Sequence, residues 1–177
     1  MATSLNSLLH NYHSQFPEEQ AFKARFYALL DEPYCFERKN LKGHFTASCW
    51  VTDPVKKQVL LLRHAKLNRW LQPGGHADGN TDLLMVAMKE LQEETGISNP
   101  LKVSPEIFDL DIHAIPQRKT VPEHEHFDVR FHFIADSGIS LKINEESTAL
   151  QWVSLDKVAQ ITNYERSFER MVYKTKF

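Results

Sequence analysis

Three carboxylates stand close together near the middle of the chain: Glu90, Glu93 and Glu94. Positions three and four apart are neighbours on a helix surface, so on a helix all three share one face. Like charges on one face near a helix C-terminus repel each other and oppose the helix dipole. A hard divalent cation relieves that repulsion. Mg2+ takes oxygen ligands at about 2.0–2.1 Å and keeps waters or substrate phosphates in its remaining positions. The chemistry open to this spacing is therefore the binding of a hard divalent cation. A plain solvated acidic face is the competing reading of the three residues alone.

A loop, a helix and a stop must position them. Pro73 and the glycines at 74, 75 and 79 predict irregular structure before Asn80. Asn80, Thr81 or Asp82 can each cap a helix, because a short side-chain oxygen can accept from an orphan backbone N–H. Residues 83–95 are helix formers without Gly or Pro. Leu84, Ala87, Met88, Leu91 and Thr95 make an apolar stripe at helical spacing. Gly96 stands where a left-handed C-cap would end the helix.

This glycine loop and acidic helix together resemble the Nudix box, G-x5-E-x7-R-E-U-x-E-E-x-G-U, where U is a bulky aliphatic. Set on the chain, the box starts at Gly75. Glu90, Leu91, Glu93, Glu94, Gly96 and Ile97 agree with it, whereas Thr81 replaces its first Glu and Lys89 its Arg. Trp70, ahead of Pro73, supplies the aromatic lead-in common before the double glycine. The resemblance implies an α/β fold, an α/β/α sandwich around a mixed β-sheet. It implies a hydrolase that cleaves the phosphoanhydride bond of a nucleoside diphosphate linked to another moiety. By the same resemblance Glu90, Glu93 and Glu94 hold Mg2+ or Mn2+, joined by the backbone carbonyl of Gly74. One of the glutamates acts as base, and Lys89 completes the catalytic set. Asp78 or Asp82 stands near enough in sequence to replace the missing first Glu. Lys89 keeps a positive charge but loses the planar fork of Arg. A nucleotide-binding regulator with weakened or lost hydrolysis is therefore the second reading, and isomerase chemistry on the same fold a third.

Other residues offer contacts to substrate. Gly75 and His76 belong to the box loop, and Arg118 with Lys119 lies in a basic loop. Residues 126–135 alternate as a strand, with Phe127, Val129, Phe131 and Phe133 on one face and His126, Asp128, Arg130 and His132 on the other. His124, His126 and Asp128 would share a face, as would Asp109, Asp111 and His113 on the preceding strand. If those strands pair, acids and imidazoles cluster. The cluster then binds substrate, through His126 and Arg130, or a second metal. A polar strand face with exposed histidines is the alternative. Glu123 and Glu125, with Glu145 and Glu146 as rivals, are candidates for a carboxylate outside the box.

The rest of the chain frames this centre. Two helices, over 3–14 and 17–31, form an N-terminal extension, residues 1–35, read as packed on the core rather than as a lid or dimer arm. Residues 36–177 form the hydrolase domain. A hairpin over 44–63 leads to the box loop. Strands follow over 107–115, 126–135 and around Trp152, and Thr162 with Glu165 forms a capping box for a last helix carrying Phe168, Met171 and Val172. A chain of 177 residues can bury roughly 70% of its unfolded surface, so it needs no disulfide or metal to fold. Its formal net charge of −2 argues against a general binder of nucleic acid or anionic membrane. Cys35 and Cys49 lack metal-ligand spacing, so reduced thiols are expected. No signal peptide is read at the start and no apolar run reaches the ~20 residues of a spanning helix. The expected protein is cytoplasmic, with a small nucleotide derivative as partner and a homodimer as its family's common assembly.

Overall fold

The computed structural model describes residues 4–118 and 121–176. In chain order the elements are α1 (Leu5–Asn11), α2 (Pro17–Leu30), β1 (Gly43–Thr52), β2 (Gln58–His64), β3 (Arg69–Leu71), β4 (Gly74–His76), α3 (Leu83–Thr95), β5 (Lys102–Ile115), β6 (His124–Ile134), β7 (Ser147–Ser154), α4 (Val158–Ile161) and α5 (Arg166–Lys176). The strands form a seven-stranded sheet with the hydrogen-bonded order β3-β2-β1-β6-β5, and β4 pairs with β1 and β7 with β2. By contact the chain divides into two compact units. No helix among the described residues is long and apolar enough to cross a membrane.

The first unit comprises the chain up to Ser48, Gly74–Ala87 and Pro105–Phe131. Its core grows from strand alternation: Phe45 and Ala47 of β1 and Phe127, Val129 and Phe131 of β6 are all buried. Phe26 of α2 meets Phe127 edge-on, with ring centroids 5.3 Å apart, and lies 5.7 Å from Phe45. Pro17 opens α2, where its missing N–H costs nothing. Glu19, two residues on, is buried yet fully engaged: it accepts from the Tyr12 hydroxyl at 2.5 Å, from the Ser14 hydroxyl, and from the Leu110 amide of β5 at 2.9 Å. That carboxylate and Phe26 hold α2 on the strands.

Two local expectations change here. The box loop is not wholly irregular, because Gly74–His76 pairs antiparallel with β1 in the register Ser48↔Gly74, Ala47↔Gly75 and Thr46↔His76. Glycine makes this possible: a Cβ on Gly74 would lie 2.3 Å from the Ser48 Cβ. Pro105 also lies within β5 instead of in a loop before it. β5 ends the strand order, and an edge strand tolerates a residue that cannot donate.

The second unit comprises Cys49–Pro73, Met88–Ser104 and His132–Phe177. β2 runs between β3 and β7, with Leu62 opposite both Leu71 and Leu150. Its unbroken apolar run, Val59 to Leu62, is buried throughout, as a strand covered on both faces requires. Trp50 donates its indole N–H to Thr175 Oγ1 at 2.7 Å and packs 6.2 Å from Phe168, which seats α5. The capping box does not form. Thr162 is the C-cap of α4, and its hydroxyl donates back to the Val158 carbonyl at 2.8 Å. Helix α5 begins only at Arg166.

His132 makes this unit acid-sensitive. Its Nε2 lies 2.8 Å from Thr52 Oγ1, and burial, with Lys56 and Lys102 adding to it, pushes the imidazole down to about 4. The unfolded chain takes up a proton near pH 6.5, and the folded one does not until about pH 4. This group's contribution is therefore complete above pH 6.5 and lost as pH falls through that window. The loss is on the order of 3 kcal/mol. Urea unfolding at pH 7 and pH 4.5 checks it: His132→Gln should lose visibly less stability across that interval than the wild type.

Candidate functional site

Helix α3 is set by its ends. Asp82 is the residue that caps it: its Oδ1 accepts from the Met85 amide at 3.1 Å and its backbone carbonyl from Val86 at 3.1 Å. Asn80 Oδ1 in turn accepts from the Asp82 amide. At the other end Gly96 takes φ +79, and its amide donates to the Gln92 carbonyl at 2.9 Å. Between them Leu83, Val86, Ala87, Leu91 and Thr95 are buried. The inward stripe thus includes Leu83 and Val86, while Leu84 and Met88 lie at its margins.

This rotation sorts the three carboxylates. Glu94 falls on the inward side and is 4% exposed. The Glu90 side chain is 16% exposed, and that of Glu93 53%. Lys89 Nζ lies 3.0 Å from Glu93 Oε2 and 3.8 Å from Glu90 Oε1. An exposed i,i+4 pair is worth only about 0.3–0.5 kcal/mol, so Glu93 is free to exchange its partner for a cation. Thr81 is exposed. Of the acids near it, Asp82 is the cap, and Asp78 pairs through both oxygens with Arg38 at 2.6 Å.

The loop ahead of the helix is equally constrained. Gly74 and Gly75 lie against Ser48 and Ala47, and His76 against Thr46. The His76 Nε2 meets His126 Nε2 at 3.2 Å.

The polar faces of β1, β6 and β5 gather two groups of side chains that the strand alternation predicts. Arg130 is 3% exposed and anchors the first. Its Nε donates to Asp128 Oδ2 at 2.9 Å, Nη1 to Asp109 Oδ1 at 3.1 Å, and Nη2 to Asp111 Oδ2 at 3.0 Å. Asp128 also accepts from the Thr46 and Ser48 hydroxyls at 3.0 and 2.7 Å. Burial opposes the guanidinium charge, but Asp111, Asp128 and Asp109 outweigh it and hold Arg130 protonated. The structure therefore turns Arg130 inward, onto carboxylates, and Asp111 of the same cluster lies 3.3 Å from His113 Nδ1.

The second group is imidazole. His44, His76, His124 and His126 pack with ring centroids 4.7–5.3 Å apart, and His113 lies 5.4 Å from His126. Burial pushes His76 down to about 4, helped by Arg38 and His44, and His126 down to about 2, helped by His76 and His113. His44 is lowered too, chiefly by burial. The sequence reading missed His44. Its signal was present, since His44 shares strand parity with Thr46 and Ser48, but only the pairing of β1 beside β6 brings it to His124 and His126.

Arg118 is exposed and its backbone pairs with Val121; Lys119 lies outside the described residues. Glu125 is bound to Arg25 at 2.5 Å. Glu123, Glu145 and Glu146 are exposed.

Comparison with known proteins follows the same lines. The NUDIX domain family model matches residues 42–173. The asymmetrical bis(5'-nucleosyl)-tetraphosphatase of Rattus norvegicus is 26% identical over 117 residues, 64% of this chain and 75% of that protein. Among solved structures, a binary complex of a C. elegans Ap4A hydrolase superposes with a TM-score of 0.59 at 16% identity, covering 75% of this chain and 94% of that one. The MutT protein from Methanosarcina mazei Go1 superposes with a TM-score of 0.60 at 18% identity, covering 76% and 93%. At these identities the superpositions show the fold. It is the α/β/α sandwich with a mixed sheet that the box implied.

Proposed function

Because this chain belongs to the Nudix family and is a hydrolase of the pyrophosphatase type, we propose that it cleaves the phosphoanhydride bond of a nucleoside diphosphate linked to another moiety, with Mg2+ or Mn2+ as cofactor. One observation carries this reading: the family match spans α3, the helix that carries Glu90, Glu93 and Glu94 at i, i+3 and i+4. The donor set fits a hard cation, since every candidate ligand is an oxygen. Glu94 is buried on α3 and the Glu90 side chain largely so. Glu93 and Glu94 would hold the cation, with Glu90 as ligand or base, and the Gly74 carbonyl takes the role the box gives its leading glycines.

A cation held there would supply charge neutralisation and would lower the pKa of an attacking water. The chain's own residues do the rest. A glutamate of α3 accepts the water's proton. Lys89 orients Glu93 and tempers the charge of the acidic face. Gly75 and His76 of the loop, with His126 and the exposed Arg118, are the proposed contacts to substrate. We assign hydrolysis to residues 36–177 and treat residues 1–35 as a helical extension.

A substrate panel tests this reading. The name of the rat relative puts dinucleoside polyphosphates first, followed by ADP-ribose and nucleoside triphosphates. At least one should yield a nucleotide product under Mg2+ or Mn2+, and EDTA should stop the reaction. Failure of every substrate with both ions would overturn the proposal.

A further inference from the structure

We propose that His44, His124 and His126 form a second metal site, separate from the acidic helix, that takes Zn2+ or a similar divalent transition ion. Each residue can present one nitrogen so that all three lie within 4.8 Å of one another. In a tetrahedral zinc site with Zn–N of 2.0–2.1 Å, ligand nitrogens lie about 3.3 Å apart, so small rotations of three rings close the site. Imidazole is the ligand of zinc, copper, cobalt and nickel, and not of Mg2+ or Ca2+.

Two further observations point to a ligand. His44 is 2% exposed, and its Nε2 is buried without a hydrogen-bond partner. A buried polar atom left unsatisfied is destabilising, and a metal bond would remove that cost. The other nitrogens are also arranged as metal-binding imidazoles require, each held by an outer acceptor. His44 Nδ1 faces the Asn40 carbonyl at 3.3 Å, and His124 Nδ1 faces the Pro122 carbonyl at 2.9 Å. His126 Nε2 faces His76 Nε2 at 3.2 Å. Donation along these three contacts leaves each of the three rings one nitrogen lone pair to offer an ion. Three protein ligands leave a fourth position open to water or an anionic oxygen.

Cobalt reads the site directly. Full-length protein, stripped of metal and held in excess Mg2+ to saturate the acidic helix, is titrated with Co2+. One equivalent should produce the visible ligand-field bands of tetrahedral cobalt, and Zn2+ should displace it. His124→Gln and His126→Gln should each weaken cobalt binding by about 100-fold or more, whereas Glu94→Gln should leave the bands unchanged. X-ray absorption on the zinc-loaded wild type gives a reading that needs no variant: three imidazole nitrogens at about 2.0–2.1 Å. An all-oxygen shell, no bands on the wild type, or bands lost in Glu94→Gln and kept in both histidine variants would each overturn the proposal. Because the acidic helix is saturated separately, failure here leaves the hydrolase reading standing, and failure of hydrolysis leaves this site standing.

Discussion

Glu94→Gln is expected to leave the fold intact and to lower phosphoanhydride hydrolysis by about 100-fold or more. Glutamine has nearly the same size and keeps an oxygen at the same place, so the buried position at the foot of α3 stays filled. What it loses is the negative charge. A neutral amide oxygen is a poorer ligand for a hard cation, and it cannot relieve the charge that develops on phosphate. The variant should therefore need more Mg2+ for half-maximal rate as well as turning over more slowly. Thermal unfolding of both proteins separates a damaged site from a damaged fold. Turnover equal to that of the wild type, in a folded variant, would remove Glu94 from the mechanism and weaken the case for the whole acidic face.

Arg130→Met is expected to cost stability instead, on the order of 3–5 kcal/mol. Methionine fills much of the space but leaves Asp109, Asp111 and Asp128 without the guanidinium that all three face. Like charges left together in a buried place must take up protons or come apart, and both cost free energy. For a chain of this length the loss amounts to a fall in melting temperature of roughly 6–20 °C. Arg130→Lys should fall between the two, since it keeps the charge and gives up the fork. Chemical denaturation measures the stability, and KM on the best substrate measures any contact with it. A small stability loss with a large rise in KM would return Arg130 to the substrate site.

The sequence carried the box and much of its scaffolding, because those signals are local. Asp82, Leu83–Thr95 and Gly96 lie within one helix, where capping, propensity and C-terminal glycine act over a few residues. Strand alternation likewise marked Phe127, Val129, Phe131 and Phe133 as one face. Local signals misled where two local partners competed. Thr162 could cap the helix after it or bond back to the helix before it, and it bonds back.

Residue types and spacing were enough to determine an acidic helix behind a glycine loop, and with it the family. Tertiary structure alone decided how each polar side chain is employed. His126, Asp128 and Arg130 share strand parity, yet His126 lies among imidazoles gathered from three other places in the chain, and Arg130 draws Asp128 into an ion cluster. Parity fixes only the face on which a side chain stands. Its neighbours come from strands far away in sequence, and the energy of a buried charge or imidazole depends on those neighbours.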